Sequence, residues 1–251
     1  MKKIAAKKTS VDRSFLLVSV TLFILIIGVL TAAAYVRNSI YLNHVTLWAD
    51  IVKRSPNKRR AHENYGQALS SAGYYDKALR EFETVMALKD DGSVPPRDLY
   101  RELGVVYFRL EKYDDAVTAW QTGLKLSPND PSLCNNLSVV MMQQGRYDDA
   151  AAYAQTALAA APDMPQALNT MGQVYLIKKN YEKAAQYFLW ALEREPDVPQ
   201  RYWNAALALE RTGKYDLALR YASRYASMES DPVSRQKAYG YIAHLKQIMG
   251  R

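Results

Sequence analysis

The chain has 251 residues, 49% apolar and 23% charged, with a net charge of +8, which is ample material for one or two ordinary cores and too apolar for a disordered chain. Five of its cations, Lys2, Lys3, Lys7, Lys8 and Arg13, crowd the extreme N-terminus, so the basic excess reads as a topology signal rather than a nucleic-acid surface. The one cysteine, Cys134, excludes an intrachain disulfide framework and any site built from several thiolates.

Residues 1–13 read as a basic tail on the cytoplasmic side. Residues 14–36, SFLLVSVTLFILIIGVLTAAAYV, carry no charge over 23 positions. At ~1.5 Å per residue such a helix crosses a ~30 Å hydrocarbon core with some tilt, so the segment predicts a transmembrane helix. Arg37 is the only cation between it and Lys53, which places the N-terminus in the cytoplasm and the remainder outside, in the periplasm of a bacterial cell with the anchor in its inner membrane. The rival reading is a signal peptide cleaved near the small residues Thr31 to Ala34. The apolar run exceeds the ~7–15 residues of a signal core, which favours retention.

Residues 37–55 predict a juxtamembrane helix with Ile40, Leu47, Trp48, Ile51 and Val52 as its apolar residues. No Gly or Pro intervenes between Val29 and Ser55, so this helix is expected to run on directly from the apolar one. The cations Lys53, Arg54, Lys58, Arg59 and Arg60 that follow have no interleaved aromatics to stack bases, and read as a solvated face.

From here the sequence repeats. GYYDKAL (73–79), EKYDDAV (111–117), GRYDDAA (145–151), KNYEKAA (179–185) and GKYDLAL (213–219) each carry a tyrosine, an acid and an alanine, with the alanines Ala78, Ala116, Ala150, Ala184 and Ala218 spaced by 38, 34, 34 and 34. Twelve residues before each stands another small residue: Gly66, Gly104, Ser138, Gly172 and Ala206. Pro128, Pro162 and Pro196 recur at the same period and stop each second helix. Small columns let two antiparallel helices approach closely, while Phe82, Leu103, Tyr107, Trp120, Leu137, Met171, Tyr175 and Phe188 fill the space around them. Acids such as Asp114, Asp115, Asp148 and Asp149 recur at the entry to the second helix, where they complement its dipole.

These columns resemble the tetratricopeptide repeat, a helix-turn-helix unit of 34 residues. The resemblance implies an all-α fold, a right-handed α-α superhelix or solenoid preceded by a single transmembrane helix. Five units span 59–230 (59–96, 97–130, 131–164, 165–198 and 199–230), with an insertion at 89–96 widening the first turn between units. Val85 and Tyr225 replace the small residues Gly123, Ala157 and Ala191 of their column, so the first and last units are expected to pack less regularly. Residues 231–251 predict a capping helix, N-capped by Asp231 with Pro232 in its first turn. In the same register Tyr41, Trp48 and Pro56 make 37–55 the second half of an incomplete unit. A narrower stretch, LWADIVKRSPNKRRAHENYG (47–66), resembles the membrane-to-repeat junction of O-mannosyltransferase-like multi-pass proteins. The preceding membrane helices are missing, so only the junction architecture is implied.

Such arrays bind through their first helices, and the register projects the inward positions. Val105, Phe108, Val139, Met142, Leu176, Trp203 and Leu207 form an apolar strip. Amides border it: Asn64, Asn135, Asn136, Asn169, Gln173 and Asn204. Arg101 and Arg109 are candidates for pairing a ligand carboxylate. An apolar strip edged by amides suits a protein or peptide segment, its side chains entering pockets and its backbone meeting the amides. No catalytic or metal pattern accompanies it. His44, His62 and His244 are scattered, and there is no HExxH, GxxxxGK[ST] or GxSxG. The expectation is therefore a scaffold with no cofactor, no metal, no nucleic acid and no small-molecule substrate. An accessory acceptor-recognition subunit of a glycosyltransferase and a chaperone-like holder are the alternatives.

Overall fold

Every element that the computed structural model describes is helical, over residues 15–32, 35, 43–88 and 97–250. The basic tail, the ends of the 14–36 span, positions 37–42 and the insertion 89–96 lie outside the described residues. The first helix, α1 (Phe15–Ala32), has a mean hydropathy of 2.8 and no residue buried against protein. It is the one helix among the described residues long and apolar enough to cross a membrane. The hydroxyls of Ser19, Thr21 and Thr31 donate to the carbonyls of Phe15, Leu17 and Ile27 one turn back. Its polar side chains are thereby satisfied within the helix, as a lipid environment requires.

The remaining helices are α2 (His44–Arg54), α3 (Arg59–Ser71), α4 (Tyr75–Ala87), α5 (Arg97–Arg109), α6 (Tyr113–Leu126), α7 (Pro131–Gln143), α8 (Tyr147–Ala160), α9 (Pro165–Ile177), α10 (Tyr181–Arg194), α11 (Pro199–Arg211), α12 (Tyr215–Met228) and α13 (Pro232–Ile248). Their contacts define two units, Met1–Ser93 and Val94–Arg251.

In the first unit α3 and α4 form a hairpin and α2 packs on α3. The expected continuity of α2 with the apolar helix is corrected at Asn43. That residue is extended, with φ −127°, and its side chain accepts the Val45 N–H. It is an N-cap, the one helical context in which asparagine outcompetes a helix interior. α2 therefore starts anew at His44. His62 ties the unit together, one ring nitrogen 2.6 Å from the Glu81 carboxylate and the other 2.8 Å from the Pro56 carbonyl. The turn after α2 and the faces of α3 and α4 thus meet at one buried ring.

In the second unit four hairpins, α5/α6, α7/α8, α9/α10 and α11/α12, stack in series and α13 closes on α12. Each hairpin turns through a residue of positive φ, Glu111, Gly145, Lys179 and Gly213 in order. The alanine column is the line of closest approach, with Ala116, Ala150, Ala184 and Ala218 all at 0% exposure. Pro131, Pro165, Pro199 and Pro232 open their helices at the first turn, where a missing N–H costs nothing. Cys134 is buried beside Ala157 and Ala167, between α7, α8 and α9. Burial pushes its thiol pKa up, and the nearby Asp130 charge adds to the rise. Val85 and Tyr225, the two large residues in a small column, are both buried.

The last helix is fastened by Tyr241, whose hydroxyl donates to the Glu210 carboxylate at 3.0 Å with the Ala206 carbonyl at 3.3 Å. Burial, that hydrogen bond and the Glu210 charge raise its pKa well above the ordinary tyrosine value. A free tyrosine ionises near pH ~10, so the stabilisation is complete below that pH and is lost as pH climbs from there toward the folded-state value. The melting temperature is expected to fall over that alkaline range, and Tyr241→Phe to remove this residue's share of the fall. Thermal melts of both proteins as a function of pH check it.

Candidate partner-binding groove

Within the second unit the backbones of the first helices approach one another in series, α5 to α7, α7 to α9 and α9 to α11, while those of the second helices stay farther apart. The closer spacing puts the first helices on the inner side of the array. Along this side Val139 is exposed, and Met142, Gln173, Leu176 and Leu207 are half-buried. Ile177, exposed at the end of α9, continues the strip. Val105 and Phe108 are half-buried against the core, Phe108 lying 5.5 Å from Tyr113 and 6.2 Å from Trp120 between ring centroids. Trp203 is covered further by Tyr225 and Tyr241, at 5.2 and 5.0 Å.

The amides are linked across helices. Gln200 donates to Asn204 at 3.3 Å and Asn204 donates to Asn169 at 3.4 Å. Asn135, one repeat before Asn169, is 7% exposed, and its side-chain oxygen accepts no hydrogen bond. A buried acceptor left open is costly, and this oxygen is enclosed by the surrounding protein rather than presented to solvent. Asn136 is half-buried beside it. Gln200 was not among the expected residues, although Gln166 precedes it by 34 positions and the pair could have been found by that recurrence.

The charged candidates behave differently. Arg101 is held by Asp98 at 2.9 Å and by Glu102 at 3.3 Å. Both partners lie on its own helix, and Arg101 remains about one-third exposed. Arg109 is exposed. Asn64 belongs to the first unit, where it lines a separate groove with Trp48. No group of His, Cys, Asp and Glu able to hold a metal occurs among the described residues.

Paired helices of one length, joined by tight turns and stacked so that first helices line one side, define a helical-repeat solenoid whose role is protein–protein interaction. The chain belongs to the tetratricopeptide repeat family, whose sequence model matches residues 66–132, 101–165, 135–191 and 169–234. Solved structures of similar fold include the Cut9–Hcn1 hetero-tetramer of the APC/C, with a TM-score of 0.68 and 17% identity over 79% of this chain. This chain covers only 38% of that one. MamA from Desulfovibrio magneticus RS-1 superposes with a TM-score of 0.57 at 19% identity, covering 68% of this chain and 94% of its own. YrrB, described as a tetratricopeptide protein with an unusual peptide-binding site, gives 0.54 at 18% identity, covering 77% and 97%. At these identities the likeness is one of fold. No curated protein shows significant sequence similarity to the chain.

Proposed function

We propose that the chain is a non-enzymatic, membrane-anchored scaffold that binds a protein or peptide segment along the first helices of its second unit. The observation that carries this reading is the apolar run of Val139, Met142, Leu176 and Ile177, exposed or half-buried on successive first helices. Apolar side chains of a partner enter between the helices, and its backbone meets the partly exposed amides Asn136 and Gln173. The anchor is α1, with the basic tail in the cytoplasm and the repeats in the periplasm, where the chain serves assembly of, or as accessory subunit in, an envelope complex. YrrB, a neighbour in fold, is described as having an unusual peptide-binding site, which supports peptide binding as a use of this fold.

Photo-crosslinkers at Val139, Met142 and Ile177 are expected to capture a partner that the outward-facing Gln155 does not. Val139→Glu should abolish the capture while changing stability by no more than ~0.5 kcal/mol, since the side chain is already exposed. Equal capture from Gln155, or undiminished capture by the glutamate variant, removes the groove from consideration. Capture of a multi-pass glycosyltransferase would support the accessory-subunit alternative, and capture of many unrelated unfolded chains the holder. A reporter fused after Arg251 reads the topology, and N-terminal sequencing of the mature protein separates anchor from cleaved signal.

A further inference from the structure

One helix in each unit is half of a repeat, and the two halves are complementary. In the first unit α2 has the register of a second helix, Trp48 standing 34 residues before Phe82. Among the described residues it packs on α3 alone, and none of its own residues is buried. Trp48 instead lines a groove of about 320 Å³ with His44, Asn64, Gln67, Ala68 and Ser71. In the second unit α13 has the register of a first helix, with Gly240 standing 34 residues after Ala206. A Cβ at Gly240 would meet nothing within 4 Å, and the adjacent Tyr239 is 52% exposed.

Complete repeats show what these faces require. The small residue of each first helix is matched to the residue sixteen positions later on its second helix: Gly66 with Phe82, Gly104 with Trp120, Gly172 with Phe188, but Ser138 with Ala154 and Ala206 with Ala222. At the three glycines an added Cβ would stand 2.5, 2.3 and 2.6 Å from the aromatic ring. An aromatic in this column therefore needs glycine opposite. Trp48 and Gly240 are unmatched members of that pairing. A second pair of columns agrees. Leu69, Tyr107, Met141, Tyr175 and Leu209 each precede an alanine of the second helix by nine positions, large opposite small. The half-repeats reverse the sizes, with Ala243 on α13 and His44 on α2, both exposed.

We propose that α13 of one copy of this chain and α2 of a second copy dock as the first and second helices of one composite repeat, so that the protein self-assembles head to tail. Trp48 enters the notch over Gly240, and His44 takes the space beside Ala243. The chain's own apolar helix fits this groove less well, because the residue sixteen before Trp48 is Ala32, which brings the methyl that the aromatic excludes. The contact is heterologous, leaving one free face at each end for a further copy.

The test uses the full-length chain in detergent, with Cys134→Ala removing the native thiol. One tagged population carries Trp48→Cys and another Gly240→Cys, and they are mixed and oxidised. The expected product is a disulfide between the two tags, with neither population crosslinking to itself. Self-crosslinking of a single population, an intrachain bond in the doubly substituted chain, or no crosslink would each overturn the proposal. A second measurement needs no cysteine. The Cβ of Gly240→Leu meets no atom within 4 Å among the described residues, so helix content and melting should hold while the Kd of self-association by sedimentation rises about tenfold or more. Gly240→Ala should also weaken association, and adding Trp48→Ala should restore it by reproducing the Ala206 and Ala222 match. Association unchanged by Gly240→Leu would overturn the proposal.

Discussion

Phe188→Ala is expected to lower the unfolding free energy by about 3–5 kcal/mol, the range for deleting a fully buried aromatic. Phe188 has 0% exposure and lies in the cluster of Ala184, Ala185, Leu192, Ala205, Ala208 and Leu209, where α9, α10 and α11 meet. Its ring lies where a Cβ on Gly172 would stand, 2.6 Å from that position, so removal empties a slot against the glycine. Gly172→Ala in the same chain returns a methyl to the slot. The double variant should therefore be less destabilised than the sum of the two single changes, an interaction of the kind seen between residues in contact. Urea unfolding followed by circular dichroism measures all three, and a loss below about 1 kcal/mol for Phe188→Ala would contradict the assigned packing.

Gly104→Leu is expected to be of similar severity for the opposite reason. A Cβ at this position would stand 2.3 Å from the indole nitrogen of Trp120. That nitrogen donates to the Arg101 carbonyl at 3.0 Å, and the ring is 2% exposed. The leucine must displace the indole, adding the ~1–3 kcal/mol of an overpacked core to the ~1–3 kcal/mol of a buried polar group left unpaired. Gly240 provides an internal control, because it occupies the same column with open space before it. Identical substitutions at 104 and 240 should separate by several kcal/mol of stability, again by denaturant titration. Equal effects would mean that helix propensity, not the ring, sets the cost.

The fold was legible because the columns that define it are steric. Alanines at a fixed period have one common reason, the approach of two helices, and the structure buries Ala78, Ala116, Ala150, Ala184 and Ala218 completely. The match between glycine and aromatic was also present in the sequence, at a separation of sixteen, but its meaning required the distances from backbone to ring. The break at Asn43 was not legible. A single asparagine is compatible with a helix interior, and only its extended backbone and its bond to Val45 reveal a cap.

In the groove, register supplied direction but not depth. It projects which side of a helix a residue takes, not how far the next helix covers it. Asn135 and Asn204 are accordingly more enclosed than an open rim implies, and Trp203 is overlaid by Tyr241 from α13. Burial of charge was equally hidden. Arg201 is 6% exposed, which its surroundings tolerate because Glu195 meets it at 2.6 Å with its carboxylate and at 3.1 Å with its carbonyl. That pairing crosses the turn between two repeats, a connection that periodicity alone does not display.

The placement of Cys134 has a further consequence for the chain's life in any redox environment. Its sulfur is enclosed by α7, α8 and α9 and its ionisation is disfavoured, so the thiolate needed for disulfide exchange scarcely forms while the middle of the array is closed. In the folded protein the Cys134 thiol is therefore shielded from oxidants and from glutathione alike. Its reactivity returns only when those repeats part, which couples oxidation of this thiol to unfolding rather than to the surroundings.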